Sequence, residues 1–258
     1  MTAAGKPRIV FMTGGGDLYW IVANALVERF GPITIIREGA EPKGLFLRRR
    51  LRRLGAVTVM GQMLFTVLSK FIALMSRPKR GRIVAEHGAD ARFPSGCETI
   101  EVPSVNSPTC REALRAVSPD VVVVMGTRII GVETLGCIDA PFINYHPGLT
   151  PKYRGMNGAY WTLAEGDDAN LAVTLHLVDE GVDTGDILYQ ERVGMPAGNN
   201  IMTYHYYMAV MARPFAVKAV EDALSGQLQP RKSTLPSRQW FHPTLWDYLW
   251  TGLTRRVW

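Results

Sequence analysis

Apolar and polar positions along this chain fall into two rhythms. Short unbroken apolar runs recur at RIVFMT (8–13), ITIIRE (33–38), DVVVVMG (120–126) and PFINYH (141–146). Such runs, bounded by turn residues, predict strands buried on both faces, the habit of a parallel sheet. Between the first two, Gly14-Gly15-Gly16 ends the strand and DLYWIVANALVERF (17–30) carries its apolar residues at helical spacing. Ser107-Pro108 reads as a helix cap and first helical position, leading into TCREALRAV. ETIEVPSV is a further extended run, GAYWTLAEG a short helix, and NLAVTLHLV and DILYQERV two more strands. Residues 202–226 predict a helix interrupted or kinked at Pro214. The sum is an α/β fold: a Rossmann-like, mostly parallel twisted sheet of about seven strands with helices on both faces. One domain is expected over 1–226, followed by an aromatic-rich tail, 227–258, lying over the body.

Composition changes this picture little. Of 258 residues 47% are hydrophobic and 20% charged, an ordinary globular balance. Cys97, Cys110 and Cys137 form no CxxC pair, which suits a reduced, cytoplasmic protein, and the N-terminus shows no signal-peptide pattern. Charge changes it more. Residues 43–82 hold 11 Lys and Arg and no Asp or Glu, so the net +6 is concentrated there and the rest of the chain is net acidic. A partner whose negative charge matters meets the protein at this segment. Within it, residues 55–76 carry a single charge, Lys70. That length approaches a membrane span, but Gly55, Thr58, Gly61, Gln62, Thr66 and Ser69 dilute it, and a span would split the sheet. The expectation is a packed helical insertion; an interfacial helix on the inner, anionic face of a membrane is the alternative.

The candidate chemistry begins at FINYHPGLTPKYRG (142–155). Asn144 and His146 lie two apart on a strand and so share a face, at the end where open parallel sheets bind ligands. Taken alone, the pair also suits turn bonding and a buried structural histidine. HLVDEGVDTGDIL (176–188) adds a tight acidic loop in which Asp183 has no evident turn duty. An amide donor, an imidazole and a carboxylate that favours the charged imidazole can together stabilise an oxyanion and move a proton. No Ser or Cys sits in a nucleophile elbow, so direct acyl transfer to an amine is indicated. His87, His176, His205 and His242 show no metal-ligand spacing, and no metal is expected. Gly14, Gly15 and Gly16 form either a phosphate cradle or a tight turn. Lys152 and Arg154 border the catalytic strand and are candidates for acceptor contact.

The two segments INYHPGLTPKYRG and HLVDEGVDTGDIL resemble the signatures of the N10-formyltetrahydrofolate-dependent formyltransferases, most specifically over 120–193. Gly148-Leu149-Thr150-Pro151 stands where the family commonly has Ser-Leu-Leu-Pro. The resemblance implies that Asn144, His146 and Asp183 are catalytic. It further implies that Arg128, Ile129 and Ile130 line the pterin pocket and that Asp179, Glu180, Gly181, Val182 and Asp183 close over the ring. The co-substrate would be N10-formyltetrahydrofolate. Within the family, the enlarged core with its arginine clusters is similar to the nucleotide-sugar N-formyltransferases of O-antigen synthesis. Their acceptors are 4-amino-4,6-dideoxy sugars such as GDP-perosamine. Only 32 residues follow 226, which speaks against the nucleic-acid-binding domain of methionyl-tRNA formyltransferases, so no nucleic-acid partner is expected. A methionyl-tRNA acceptor, which the basic insertion keeps open, a glycinamide ribonucleotide acceptor, a formyltetrahydrofolate hydrolase and a membrane-associated scaffold remain alternatives, and a homodimer stays open.

Overall fold

The structure, a computed structural model, describes residues 6–41 and 43–258. Its elements in chain order are β1 (Ile9–Thr13), α1 (Asp17–Phe30), β2 (Thr34–Glu38), α2 (Lys43–Leu54), α3 (Ala56–Met75), α4 (Arg77–Glu86), β3 (Glu98–Val102), α5 (Pro108–Val117), β4 (Val121–Met125) and α6 (Val132–Leu135). There follow β5 (Phe142–His146), β6 (Arg154–Gly155), α7 (Gly158–Ala164), β7 (Ala172–Leu177), β8 (Ile187–Arg192), α8 (Ile201–Leu224), β9 (Gln239–Trp240) and α9 (Leu245–Arg255). Seven strands form one sheet in the order β3-β2-β1-β4-β5-β7-β8. The first five run parallel, β7 runs against them, and β8, antiparallel to β7, runs with them again.

Alternation along the central strands feeds two cores. Ile9 and Phe11 of β1, with Val121 and Val123 of β4, face a cluster closed by α1 and α8. Val10, Met12, Val122 and Val124 face a second cluster closed by Cys110 and Leu114 of α5. Each strand is therefore apolar throughout, which is why the sequence runs carried no alternation. Ser107 caps α5, its side chain accepting from Cys110 N–H.

The basic segment forms α2, α3 and the start of α4, inserted between β2 and β3. Helix α8 continues unbroken through Pro214. Its buried residues, among them Met208, Ala209 and Ala212 before the proline and Ala216, Ala219 and Val220 after it, hold both halves on the sheet and α1. That packing offsets the missing backbone bond. Residues 227–258 contribute β9, paired parallel with β6, and α9, packed on α3.

Candidate active site

The sheet brings three side chains to one point at the carboxyl end of β5. Asn144 and His146 project together, and the antiparallel register sets His176 of β7 directly opposite Asn144. Asp183 reaches them from the turn between β7 and β8, its backbone in the left-handed region at φ 50°. Glycine is required in this turn: a Cβ on Gly185 would stand 1.7 Å from the Leu177 carbonyl oxygen.

Asn144 Nδ2 donates to Asp183 Oδ1 at 3.1 Å and meets His176 Nε2 at 3.0 Å. His146, 3% exposed, places Nδ1 3.3 Å from Asp183 Oδ2. Its Nε2 donates to the Tyr153 carbonyl at 2.6 Å, since a carbonyl oxygen can only accept. His176 Nδ1 likewise donates to Leu177 O at 2.7 Å, and its Nε2 lies 3.4 Å from Asp183 Oδ1. Gly155 N–H donates to Asp183 Oδ2 at 2.8 Å. Burial alone pushes the Asp183 carboxyl up. The charge of His146, the neighbouring His176 ring and the Gly155 N–H outweigh it and hold the group well below the usual carboxylate range.

A second polar string adjoins the first. His205 Nε2 donates to Asn157 Oδ1 at 2.9 Å, and Asn157 Nδ2 donates to His242 Nδ1 at 2.9 Å. An amide N–H needs an imidazole lone pair, so His242 Nδ1 carries no proton. Burial, reinforced by the charge of His146, pushes His205 down to about 4. Burial, with Arg50 and His205, takes His242 to about 4. The string continues to the insertion through the His242 carbonyl, which accepts from Gln62, and Gln62 Oε1, which accepts from Arg50.

The remaining sequence candidates are dispersed. Arg154 clamps the 179–185 turn, donating to Val182 O at 3.2 Å and to Ser237. Asp179 Oδ1 accepts from Gly181 N–H and Thr184 Oγ1 within that turn, and Glu180 is exposed. Lys152 is engaged by Asp167 at 2.5 Å. Arg128 pairs with the buried carboxylate of Glu38 at 2.8 Å and bonds the carbonyls of Gly39 and Pro103. Ile130 is buried in the second core, while Ile129 is exposed. A Cβ on Gly14 would come within 2.9 Å of Gly126 O, so this glycine serves a close backbone crossing. Gly15 N–H bonds Thr13 Oγ1, and Gly16 precedes α1. Sequence reasoning set His176, His205 and His242 aside and did not single out Asn157. The one signal for His176 was its place across from Asn144, which requires the β5–β7 register to be known.

The chain belongs to the formyl transferase family, whose profile matches residues 73–212, more than half of it. A curated relative, the methionyl-tRNA formyltransferase of Syntrophus aciditrophicus, is 32% identical over 171 residues, covering 62% of this chain and 53% of that protein. The chain thus spans about half the length of the curated relatives it matches. Among solved structures, glycinamide ribonucleotide transformylase 1 from Symbiobacterium toebii superposes with a TM-score of 0.58 at 19% identity, over 90% of this chain and 97% of that one. An N-formyltransferase from Helicobacter canadensis, in complex with folinic acid and dTDP-3-aminofucose, gives 0.55 at 13% identity, over 91% and 70%. At these identities the likeness is one of fold.

Proposed function

We propose that this protein transfers the formyl group of N10-formyltetrahydrofolate to the amine of a nucleotide-linked amino sugar, GDP-perosamine or a similar 4-amino-4,6-dideoxy sugar, for lipopolysaccharide O-antigen. The observation that carries formyl transfer is the convergence of Asn144, His146 and Asp183 at the carboxyl end of β5. In the reaction the amine nitrogen forms a bond to the formyl carbon, the bond from that carbon to N10 breaks, and one proton passes from the amine to N10. His146 carries the proton, Asn144 N–H stabilises the formyl oxygen as it becomes negative, and Asp183 positions both side chains until substrate enters. Both N–H groups of Asn144 and both ring nitrogens of His146 face protein partners here, so substrate must displace one on each. The looser contacts around Asp183, 3.1–3.4 Å, are the ones that exchange. The shorter bonds to Tyr153 O and Gly155 N–H hold the frame.

Exposed Ile129 and Val132 beyond β4, and Met156 beyond β6, suit a flat pterin ring, with the 179–183 turn supplying acceptors for its amino groups. An anionic acceptor is supported by Arg77, Arg80 and Tyr206 in a recess of about 450 Å³ beside the start of α1, whose rim also carries Asp17 and the Arg92–Asp90 ion pair. Arg80 stacks on Tyr206 at 5.2 Å, and its Nε is buried with no hydrogen-bond partner among the described residues. A sugar nucleotide brings a diphosphate that such arginines would bind. The Helicobacter canadensis complex, with a folate and a nucleotide sugar, supports the same pairing.

A second reading, formylation of methionyl-tRNA, is favoured by the curated relatives and the basic insertion. An acceptor screen with N10-formyltetrahydrofolate, read by product mass, decides. We expect one formyl group added to an amino-sugar nucleotide. A formylated methionyl-tRNA with no sugar product would replace this reading with the second. Formate released without acceptor would make the protein a hydrolase.

A further inference from the structure

Two helices outside the sheet leave apolar side chains in solvent on matching stripes. Along α3, Val57, Met60, Leu64, Val67, Phe71 and Leu74 are exposed at alternating steps of three and four, with Val67 at 70% and Phe71 at 63%. The stripe extends about 25 Å. Its opposite face is committed to the body. Val59, Gly61, Gln62 and Phe65 are buried, Phe65 packs on Tyr248, and Gln62 bonds His242 O. On α9, Trp246, Leu249, Trp250 and Leu253 are exposed at i, i+3, i+4 and i+7, Trp250 at 70% and Leu253 at 76%. Trp246 sits on Gly61, where a Cβ would come within 2.3 Å of the indole. Gly61 lies at the edge of the buried face, one turn from Val57 and Leu64 of the stripe, so the indole at this border joins the two stripes. Leu47 and Leu51 of α2 are exposed too.

Exposed cations accompany the stripes: Arg48 and Arg52 on α2, Lys70 on α3, Arg77 and Arg82 on α4, Arg255 and Arg256 at the end of α9. No acidic residue lies between 43 and 82. A second copy of the chain docked on this face would set one such cluster against the other. A surface with an apolar interior, fixed negative charge and an interfacial zone suited to indoles meets every feature at once.

We propose that α3 and α9 form a membrane-docking face, on which the protein lies against an anionic lipid bilayer with both helices in the plane. The helix α3 is long and apolar enough to cross a bilayer, but its inner face is fixed to the fold, which keeps it at the surface. The docking does not depend on formyl transfer.

Flotation with vesicles tests it, using the full-length chain with phosphatidylglycerol-containing or pure phosphatidylcholine vesicles. We expect binding to the anionic vesicles, weakened by salt, and little binding to the zwitterionic ones. The variants Val67→Glu/Phe71→Glu and Trp250→Glu should each weaken binding at least about tenfold, as should Arg48→Glu/Arg52→Glu. None of these residues belongs to the proposed catalytic or acceptor sites, so folding is checked by circular dichroism and turnover in solution should persist. Absence of binding to anionic vesicles, or undiminished binding by folded variants, overturns the proposal. So does a stable dimer in sedimentation that Val67→Glu/Phe71→Glu dissolves, which would make a second copy the occupant.

Discussion

At the scale of single residues, Asp183 ties Asn144, His146 and the Gly155 N–H together, with the His176 ring beside it. If His146 moves the proton and Asn144 meets the developing oxyanion, then Asn144→Ala, His146→Ala and Asp183→Ala should each lower turnover at least about 100-fold with the fold intact. Steady-state rates with circular dichroism check this, and a His146→Ala enzyme at near wild-type speed would remove the mechanism. Two stages of acid sensitivity are also expected. His205 and His242 titrate near 4 in the folded chain against 6.5 for a free imidazole. Between those values the unfolded chain binds protons that the native one refuses, so stability falls as pH drops from 6.5 towards 4, by on the order of 3 kcal/mol for each ring. Asp183 is depressed, so its contribution is full above the ordinary carboxylate value of about 4 and is lost only below it. Urea midpoints across pH should show both stages. His205→Gln should flatten the upper one and Asp183→Asn the lower. A wild-type midpoint unchanged from pH 6.5 to 4.5 would refute the assignment of neutral, buried rings.

At the scale of elements, the glycines of the β7–β8 turn mark where backbone shape is decisive. Gly185→Ala would drive a Cβ against Leu177 O, displacing the turn that carries Asp183. It should cost about 1–3 kcal/mol, as overpacking does, and lower turnover with it. Gly44→Ala on α2, whose Cβ would meet nothing, should be neutral or stabilising by up to about 1 kcal/mol. Urea unfolding of the two variants separates them, and equal stability would contradict the packing. The strands around Asn144 and His146 were legible because burial on both faces leaves an unmistakable apolar run, and the cap at Ser107 because its chemistry is local. The continuity of α8 through Pro214 was not, because it depends on what packs against either half. His176 and the His205–Asn157–His242 string escaped notice because their partners lie far away in sequence and no spacing announces them. Arg128 illustrates the converse: its position beside β4 was readable, but its pairing with Glu38 depends on the β1–β2–β4 neighbourhood.

At the scale of the whole molecule, the last thirty residues are built into the body. Trp240 stacks between Tyr153 and Trp161, α9 covers Phe65 and Tyr160, and Trp258 O accepts from Ile201 N–H at the start of α8. A chain ended after Gly226 would uncover several aromatic side chains, each worth about 3–5 kcal/mol when buried, against a typical total stability of about 5–15 kcal/mol. That truncation should fail to give a native near-ultraviolet circular dichroism spectrum or a cooperative urea transition; a cooperative, active fragment would show the tail to be dispensable. The Trp161–Trp240 stack, 4.7 Å between centroids at 26°, has a further use. Two indoles that close share their electronic excitation, so the pair carries its own optical signal without any label. Because Trp240 belongs to β9, which pairs with the Arg154–Gly155 strand holding Asp183, that signal reports the frame of the site directly. Trp246 and Trp250, open to solvent, would answer in emission to what they touch. One chain thus holds two spectroscopic gauges, one for the interior and one for the surface.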